Sequence, residues 1–130
     1  RLNDTISVDK GIKLIQNISK QVELFDGSGL SRYNLVTPKS IISSLHYIYK
    51  LIGFDRIKKI FPKNYIIQHE EDFVWGKTGT LKNNHNYSGY LITDKNRTYI
   101  FSIMINHFTN DLSEIKEVIV DFLIYLKSNS

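Results

Sequence analysis

The chain has 130 residues, no cysteine and a net charge of +4, with 42% hydrophobic and 23% charged residues. These values fit one globular domain or part of one, and they exclude a disulfide scaffold, a thiolate metal site and a cysteine nucleophile. The basic side chains are scattered, with Lys58-Lys59 the one adjacent pair, so no stripe suited to a nucleic-acid backbone forms, and no apolar run reaches membrane-spanning length.

In chain order, Ser7 is placed to cap a first helix over about 8–21, with Ile12, Ile15 and Ile18 on one side. The segment from Asp26 to Asn34 holds two glycines, two serines and an Asn and reads as a loop. Thr37 before Pro38 starts a second helix, because the hydroxyl caps and the proline lacks only an N–H that has no partner there. Ile41, Ile42, Leu45, Ile48 and Ile52 form its buried stripe, and Gly53 is placed to end it. A short helix over about 55–60 stops before Pro62. Residues 73–81, 87–93 and 98–106 read as strands, joined by polar turns over 82–86 and 94–97 into an antiparallel meander. Asp111 and Glu114 form a capping box for a last helix that buries Leu112, Ile115, Ile119, Phe122 and Leu126. The expected class is α+β, in the order α-α-(short α)-β-β-β-α.

The last strand does not suit an isolated meander. Tyr99 to Ile105 is almost continuously apolar, the pattern of a strand covered on both faces and paired on both edges. As the third of three strands it would leave one edge open, which invites association. We expect a strand from outside this sequence to pair there, or a second copy of the chain. The first residue is Arg1 rather than Met and no signal peptide is present, so residues 1–130 are expected to be the C-terminal piece of a larger domain.

Two motifs carry chemistry. One is Asp26-Gly27-Ser28-Gly29-Leu30-Ser31-Arg32-Tyr33-Asn34-Leu35, followed by the Thr37-Pro38 helix start. The other is Lys77-Thr78-Gly79-Thr80-Leu81. Lys-Thr-Gly alone is a weak signal, but the long glycine-serine motif is specific, and so are the order and spacing of the two. Together they resemble the low-molecular-mass class C penicillin-binding proteins, the D-alanyl-D-alanine carboxypeptidase/endopeptidase family, over most of the chain. The resemblance implies a partial β-lactamase/transpeptidase-like fold in which the Lys-Thr-Gly strand edges the active site. It also implies a serine-type carboxypeptidase that acts on peptidoglycan peptides through an acyl-enzyme, outside the cytoplasmic membrane and without metal or cofactor.

Such enzymes use a serine with a lysine one helical turn later, a Ser-x-Asn motif and the Lys-Thr-Gly strand, because a serine hydroxyl attacks only when a nearby base takes its proton. By resemblance, Lys77 holds the Ser-x-Asn serine and favours the substrate's terminal carboxylate. The Thr78 and Thr80 hydroxyls are placed to bind that carboxylate, and Gly79 lets the substrate backbone approach. The backbone N–H of Thr80 supplies one oxyanion-hole donor. Arg32 has two readings. It binds a carboxylate on the peptide side chain, for which a guanidinium fork is apt, or it ties down the glycine-rich loop. Lys82 stands where relatives often have Gln and is placed to attract an anionic peptide. Asp26, Ser28 and Ser31 read as loop-forming.

The nucleophile is missing. Ser7-Val-Asp-Lys10 has the Ser-x-x-Lys spacing, but it lies too close to the glycine-serine motif for this family and reads as a helix cap with a solvent-facing lysine. No Ser-x-Asn occurs. The segment alone is therefore expected to be inactive, with its partners a peptidoglycan stem peptide or β-lactam and the N-terminal remainder of the domain. The rival reading is a non-catalytic peptidoglycan-binding module that has lost its nucleophile. His46, His69, His85 and His107 show no metal-ligand spacing; His46 is expected partly buried and His85 in a polar turn. Trp75 and the tyrosines are expected in the core or along a cleft.

Overall fold

The computed structural model describes residues 8–18 and 22–130. The first helix, α1, spans Val8–Ile18. Ile12 is half-buried and Ile15 exposed; Ser7 and residues 19–21 lie outside the described residues, as does the side chain of Ile18. Two strands too short for any periodicity follow, β1 (Val22–Glu23) and β2 (Leu35–Val36), paired antiparallel. They pinch the base of the glycine-serine loop.

Side chains tie that loop to itself. The Asp26 carboxylate accepts the Ser28 N–H at 3.0 Å, the Ser28 hydroxyl at 2.8 Å and the Asn34 amide at 3.2 Å. Asn34 Oδ1 accepts the N–H groups of Phe25 at 2.7 Å and Asp26 at 3.2 Å. Gly29 turns the chain at φ 71°, which its missing Cβ permits. The two Ser28 hydrogen bonds hold the Asp26 carboxyl below its ordinary value.

Helix α2 (Pro38–Ile52) begins at a reciprocal cap. The Ser40 N–H donates to Thr37 Oγ1 at 3.1 Å and the Thr37 N–H donates to Ser40 Oγ at 3.0 Å. Gly53, at φ 71°, ends it. Leu45 is buried, with Ile41, Ile48 and Ile52 packed around it, whereas Ile42 falls at the margin and is exposed. His46 is exposed, contrary to expectation, because it follows the buried Leu45 by one position and so lies about 100° around the helix. Helix α3 (Phe54–Ile60) buries Ile57 completely.

The sheet is a meander of β3 (Val74–Leu81), β4 (Asn84–Ile92) and β5 (Thr98–Asn106), in that order. β4 starts three residues earlier than its sequence suggests. Asn83 takes the left-handed corner at φ 63°, so the turn closes over Lys82 and Asn83 and frees Asn84, His85 and Asn86 to pair with Leu81, Thr80 and Gly79. His85 is therefore a buried strand residue, not part of a turn.

Alternation divides the sheet's two faces. Trp75 and Tyr90 pack with Leu45 and Ile57 on the α2 side. Val74, Tyr87, Leu91 and Phe101 pack with Ile67, Phe73, Ile119 and Leu123 on the opposite side. The Tyr90 hydroxyl crosses into the α2 layer and donates to the Leu45 carbonyl at 2.7 Å. Gly76 and Gly89 face each other across β3 and β4. A Cβ on Gly89 would stand 2.3 Å from the Trp75 carbonyl oxygen, so only glycine fits there.

Helix α4 (Leu112–Asn129) covers the second face. Its core row is Ile115, Ile119 and Leu123, and Phe122 is 48% exposed beside Val118 and Tyr125. The expected burial of Phe122 fails because an i±4 row, rather than an i+3 step, lies along the sheet. The capping box also does not form: Asp111 occupies the cap position without a side-chain bond, and Glu114 accepts from the Asn110 amide at 2.9 Å instead. The far end of α4 is clamped by Lys127, which pairs with Asp94 and, at 3.5 Å, with Glu71. Among the described residues no helix is long and apolar enough to cross a membrane.

Three substitutions test this packing. Gly89→Ala forces backbone apart and is expected to cost about 3 kcal/mol of unfolding free energy, an overpacking effect read by denaturant titration. Tyr90→Phe removes one buried hydrogen bond and is expected to cost about 1 kcal/mol. The Lys127 hydrogen bond lowers the Asp94 carboxyl from its ordinary value. Its stabilisation is thus complete above the usual carboxylate range and is lost as pH falls through the lowered folded value. Asp94→Asn should reduce the Tm at neutral pH and leave it unchanged well below the carboxylate range.

Candidate active site

β3 is an edge strand, and its outer side is the candidate site. Asn64 organises the entry to it. Its Oδ1 accepts the N–H groups of Phe73 at 3.2 Å and Val74 at 3.1 Å, and its own N–H donates to the Val74 carbonyl at 2.8 Å. The Gly76 N–H then donates outward to the Pro62 carbonyl at 2.9 Å. Backbone direction alternates along an antiparallel strand, so the N–H groups of Thr78 and Thr80 face the same outer side. Beyond Gly76 no described strand covers it.

Lys77 and Gly79 lie on the α2 face of β3, and Thr78 and Thr80 on the α4 face, as alternation from Trp75 and Val74 requires. The Lys77 ammonium curls to the outer margin, donating to the Thr78 carbonyl at 2.6 Å and standing 5.5 Å from the centre of the Tyr65 ring. It is exposed. Its strand partner Ser88 exchanges a hydroxyl hydrogen bond of 2.9 Å with Ser102, so the polar surface continues across the sheet.

That surface leads to a cavity of about 330 Å³ between the glycine-serine loop and the tip of the sheet. Arg32, Asn84, Asn86, Met104, Asn106 and His107 are among its lining residues. Among the described residues the buried Asn86 Oδ1 has no hydrogen-bond partner. Among the described residues the Arg32 guanidinium also has no hydrogen-bond or ion-pair partner, and the loop is closed by Asp26 and Asn34 instead. Lys82 is exposed at the hairpin tip and is not part of the cavity wall.

The Thr80 hydroxyl is occupied. Its Oγ1 lies 2.7 Å from His85 Nδ1 on the α4 side of the sheet. His85 is 1% exposed and its Nε2 is buried without a partner among the described residues. Burial pushes the imidazole below its ordinary value, and the Lys116 charge on α4 adds to this. Neutral His85 thus belongs to the folded state, whose stability is complete above the ordinary histidine value and falls as pH drops through the lower folded one. Sequence reasoning missed His85 as a residue of this site. Its signal was the two-residue spacing of His85, Tyr87, Gly89 and Leu91.

Comparison with known proteins matches residues 7–126 to the D-Ala-D-Ala carboxypeptidase 3 (S13) family. D-alanyl-D-alanine carboxypeptidase DacB of Haemophilus influenzae is 35% identical over 101 residues, covering 68% of this chain and 21% of that protein. Penicillin-sensitive carboxypeptidase A of Dictyostelium discoideum is 28% identical, covering 94% of this chain and 27% of that protein. The crystal structure of penicillin binding protein 4 from Haemophilus influenzae, complexed with a β-lactam, superposes with a TM-score of 0.73 at 29% identity. It covers 92% of this chain and 32% of that one. A predatory endopeptidase of Bdellovibrio bacteriovorus shares the fold, with a TM-score of 0.77 at 16% identity and 93% of this chain covered against 37% of that one. The chain thus spans between a fifth and two-fifths of the length of these relatives. Matched by family over nearly its whole length, and by fold as an α+β assembly around a three-stranded antiparallel sheet, it belongs to the D-Ala-D-Ala carboxypeptidase 3 (S13) family.

Proposed function

We propose that this chain is the C-terminal part of a serine-type D-alanyl-D-alanine carboxypeptidase or endopeptidase that cuts peptidoglycan peptides through an acyl-enzyme. The observation that carries the reading is the Lys77-Thr78-Gly79-Thr80 segment on an edge strand, with outward N–H groups beyond Gly76 left for a ligand. An extended peptide laid along this edge takes backbone hydrogen bonds there. The Lys77 ammonium, at the margin of the same edge, attracts the terminal carboxylate. The Thr80 N–H stabilises the oxygen that becomes negative when a serine attacks the scissile carbonyl. That serine, its lysine and the Ser-x-Asn motif come from the N-terminal remainder of the domain, which also supplies a strand to the outer edge of β5. A second copy of the chain is the other candidate for that edge. The substrate places the whole protein outside the cytoplasmic membrane, and neither metal nor cofactor enters the scheme.

Arg32 has a role in the same reading. Its unpaired guanidinium, beside the unpaired Asn86 Oδ1, suits a peptide side chain that ends in a carboxylate and a donor. The Thr80 hydroxyl, held by His85, has less freedom to bind the terminal carboxylate than its backbone N–H has to serve the oxyanion.

The test is covalent labelling of the full-length protein with a fluorescent penicillin. Labelling is expected, and Lys77→Ala should slow it by about ten- to a hundred-fold, the loss of one charge-assisted hydrogen bond. Folded full-length protein that takes no label, yet binds peptidoglycan peptide, would establish the non-catalytic module instead. Arg32→Ala should raise KM by about tenfold for peptides with a free side-chain carboxylate and leave penicillin labelling unchanged.

A further inference from the structure

The Thr80 N–H is useful as a donor only if it keeps one direction, and Thr80 makes no backbone hydrogen bond of its own to β4. Because Gly76 directs its N–H outward to Pro62, Thr80 belongs to the set of β3 residues whose backbone groups face away from β4. The pair Thr80 and His85 is thus a non-hydrogen-bonded pair of the ladder. Gly79 precedes Thr80 and holds their shared peptide plane to Asn86 through the ladder, but nothing lies within 4 Å of where its Cβ would be, so no side chain packs there. Direct attachment of Thr80 to β4 therefore comes from its side chain, through the 2.7 Å contact between Oγ1 and His85 Nδ1. His85 is well suited to hold it. The ring lies on the α4 side of the sheet and is 1% exposed. It also retains a buried Nε2 without a partner among the described residues, a cost that plain packing would avoid by using an apolar residue. A polar group kept in a core despite that cost has a use for its other nitrogen.

Resting on the acyl-enzyme reading above, we propose that His85 is a positioning residue, which fixes the Thr80 hydroxyl and so adds a side-chain anchor to the ladder's hold on the Thr80 N–H that faces the developing oxyanion. His85 touches neither substrate nor nucleophile. It acts through Thr80, from the opposite face of the sheet to Lys77. The arrangement also assigns the two ends of Thr80 separate tasks, the hydroxyl anchoring inward and the amide donating outward.

The experiment uses the full-length protein with His85→Leu, which keeps the volume apolar, and His85→Asn, whose amide nitrogen replaces Nδ1. Penicillin acylation is separated into its binding constant and its rate. Removing an oxyanion donor outright costs about a hundred- to a thousand-fold. A misdirected donor is expected to cost about tenfold, in the acylation rate and not in the binding constant. The Asn variant should recover most of that rate. Thr80→Val should copy His85→Leu, and the double variant should lose no more than either alone. Selective ¹⁵N-threonine relaxation gives a second reading that does not depend on turnover: the Thr80 order parameter should fall from about 0.85 toward about 0.6 in His85→Leu and return in His85→Asn. If the unmodified protein takes no penicillin, the enzyme reading fails, and this relaxation measurement still decides the positioning role. A folded His85→Leu protein with an unchanged acylation rate and an unchanged Thr80 order parameter overturns the assignment. A loss of rate that Asn does not restore overturns it as well.

Discussion

The structure depends on the two-way backbone of β3. Every second residue from Trp75 to Leu81 is committed to β4, and those between face outward, first to the segment around Asn64 and then to no described strand. An edge strand left open is ordinarily a liability that invites unwanted pairing. Here the open stretch is confined to a few residues at one end, because Asn64 and Pro62 occupy the rest. The fold thus covers most of the edge and leaves the Lys77–Thr80 stretch open. The two cores serve this end by pinning the strand from both faces, through Trp75 on one side and Val74 on the other.

Close approach of strands sets the second condition. Gly76 and Gly89 oppose each other with no room for a methyl group, which brings β3 tightly onto β4 just before the strand leaves its Asn64 support. The position of Lys77 is therefore determined by a backbone contact immediately before it, not by the exposed lysine itself. The glycine-serine loop is preorganised in a different way. Asp26 and Asn34 close it with side-chain hydrogen bonds, and Arg32 stands at the cavity wall with no partner among the described residues.

Local signals told most where their chemistry was strong and self-contained. Thr37-Pro38 and Gly53 marked the ends of α2 in the sequence because caps act on their own helix. The Asp26–Asn34 loop was legible for the same reason. The polar run from Lys82 to Asn86 misled, since composition suggested a five-residue turn where one left-handed Asn83 suffices. That misreading hid His85. The β1–β2 pair is too short for any period to register, and its register follows from the loop that it closes. On α4, helical spacing located an apolar face, but which row meets the sheet depends on the crossing angle, and Phe122 went to the wrong side of that choice. Glu114 likewise found Asn110 before it could reach back to the cap.

The sole tryptophan of the chain, Trp75, gives the two-layer design a spectroscopic consequence. Its indole packs edge-on to Phe54 at 5.4 Å within the α2-side cluster. The sheet separates it from Ile119 and Leu123. Intrinsic emission at tryptophan excitation therefore reports the detachment of α2 and α3 from the sheet. Loosening of α4 on the other face leaves the signal quiet until the strands themselves part. An unfolding curve followed by this fluorescence tracks one side of the molecule, and a probe on α4 is needed to follow the other.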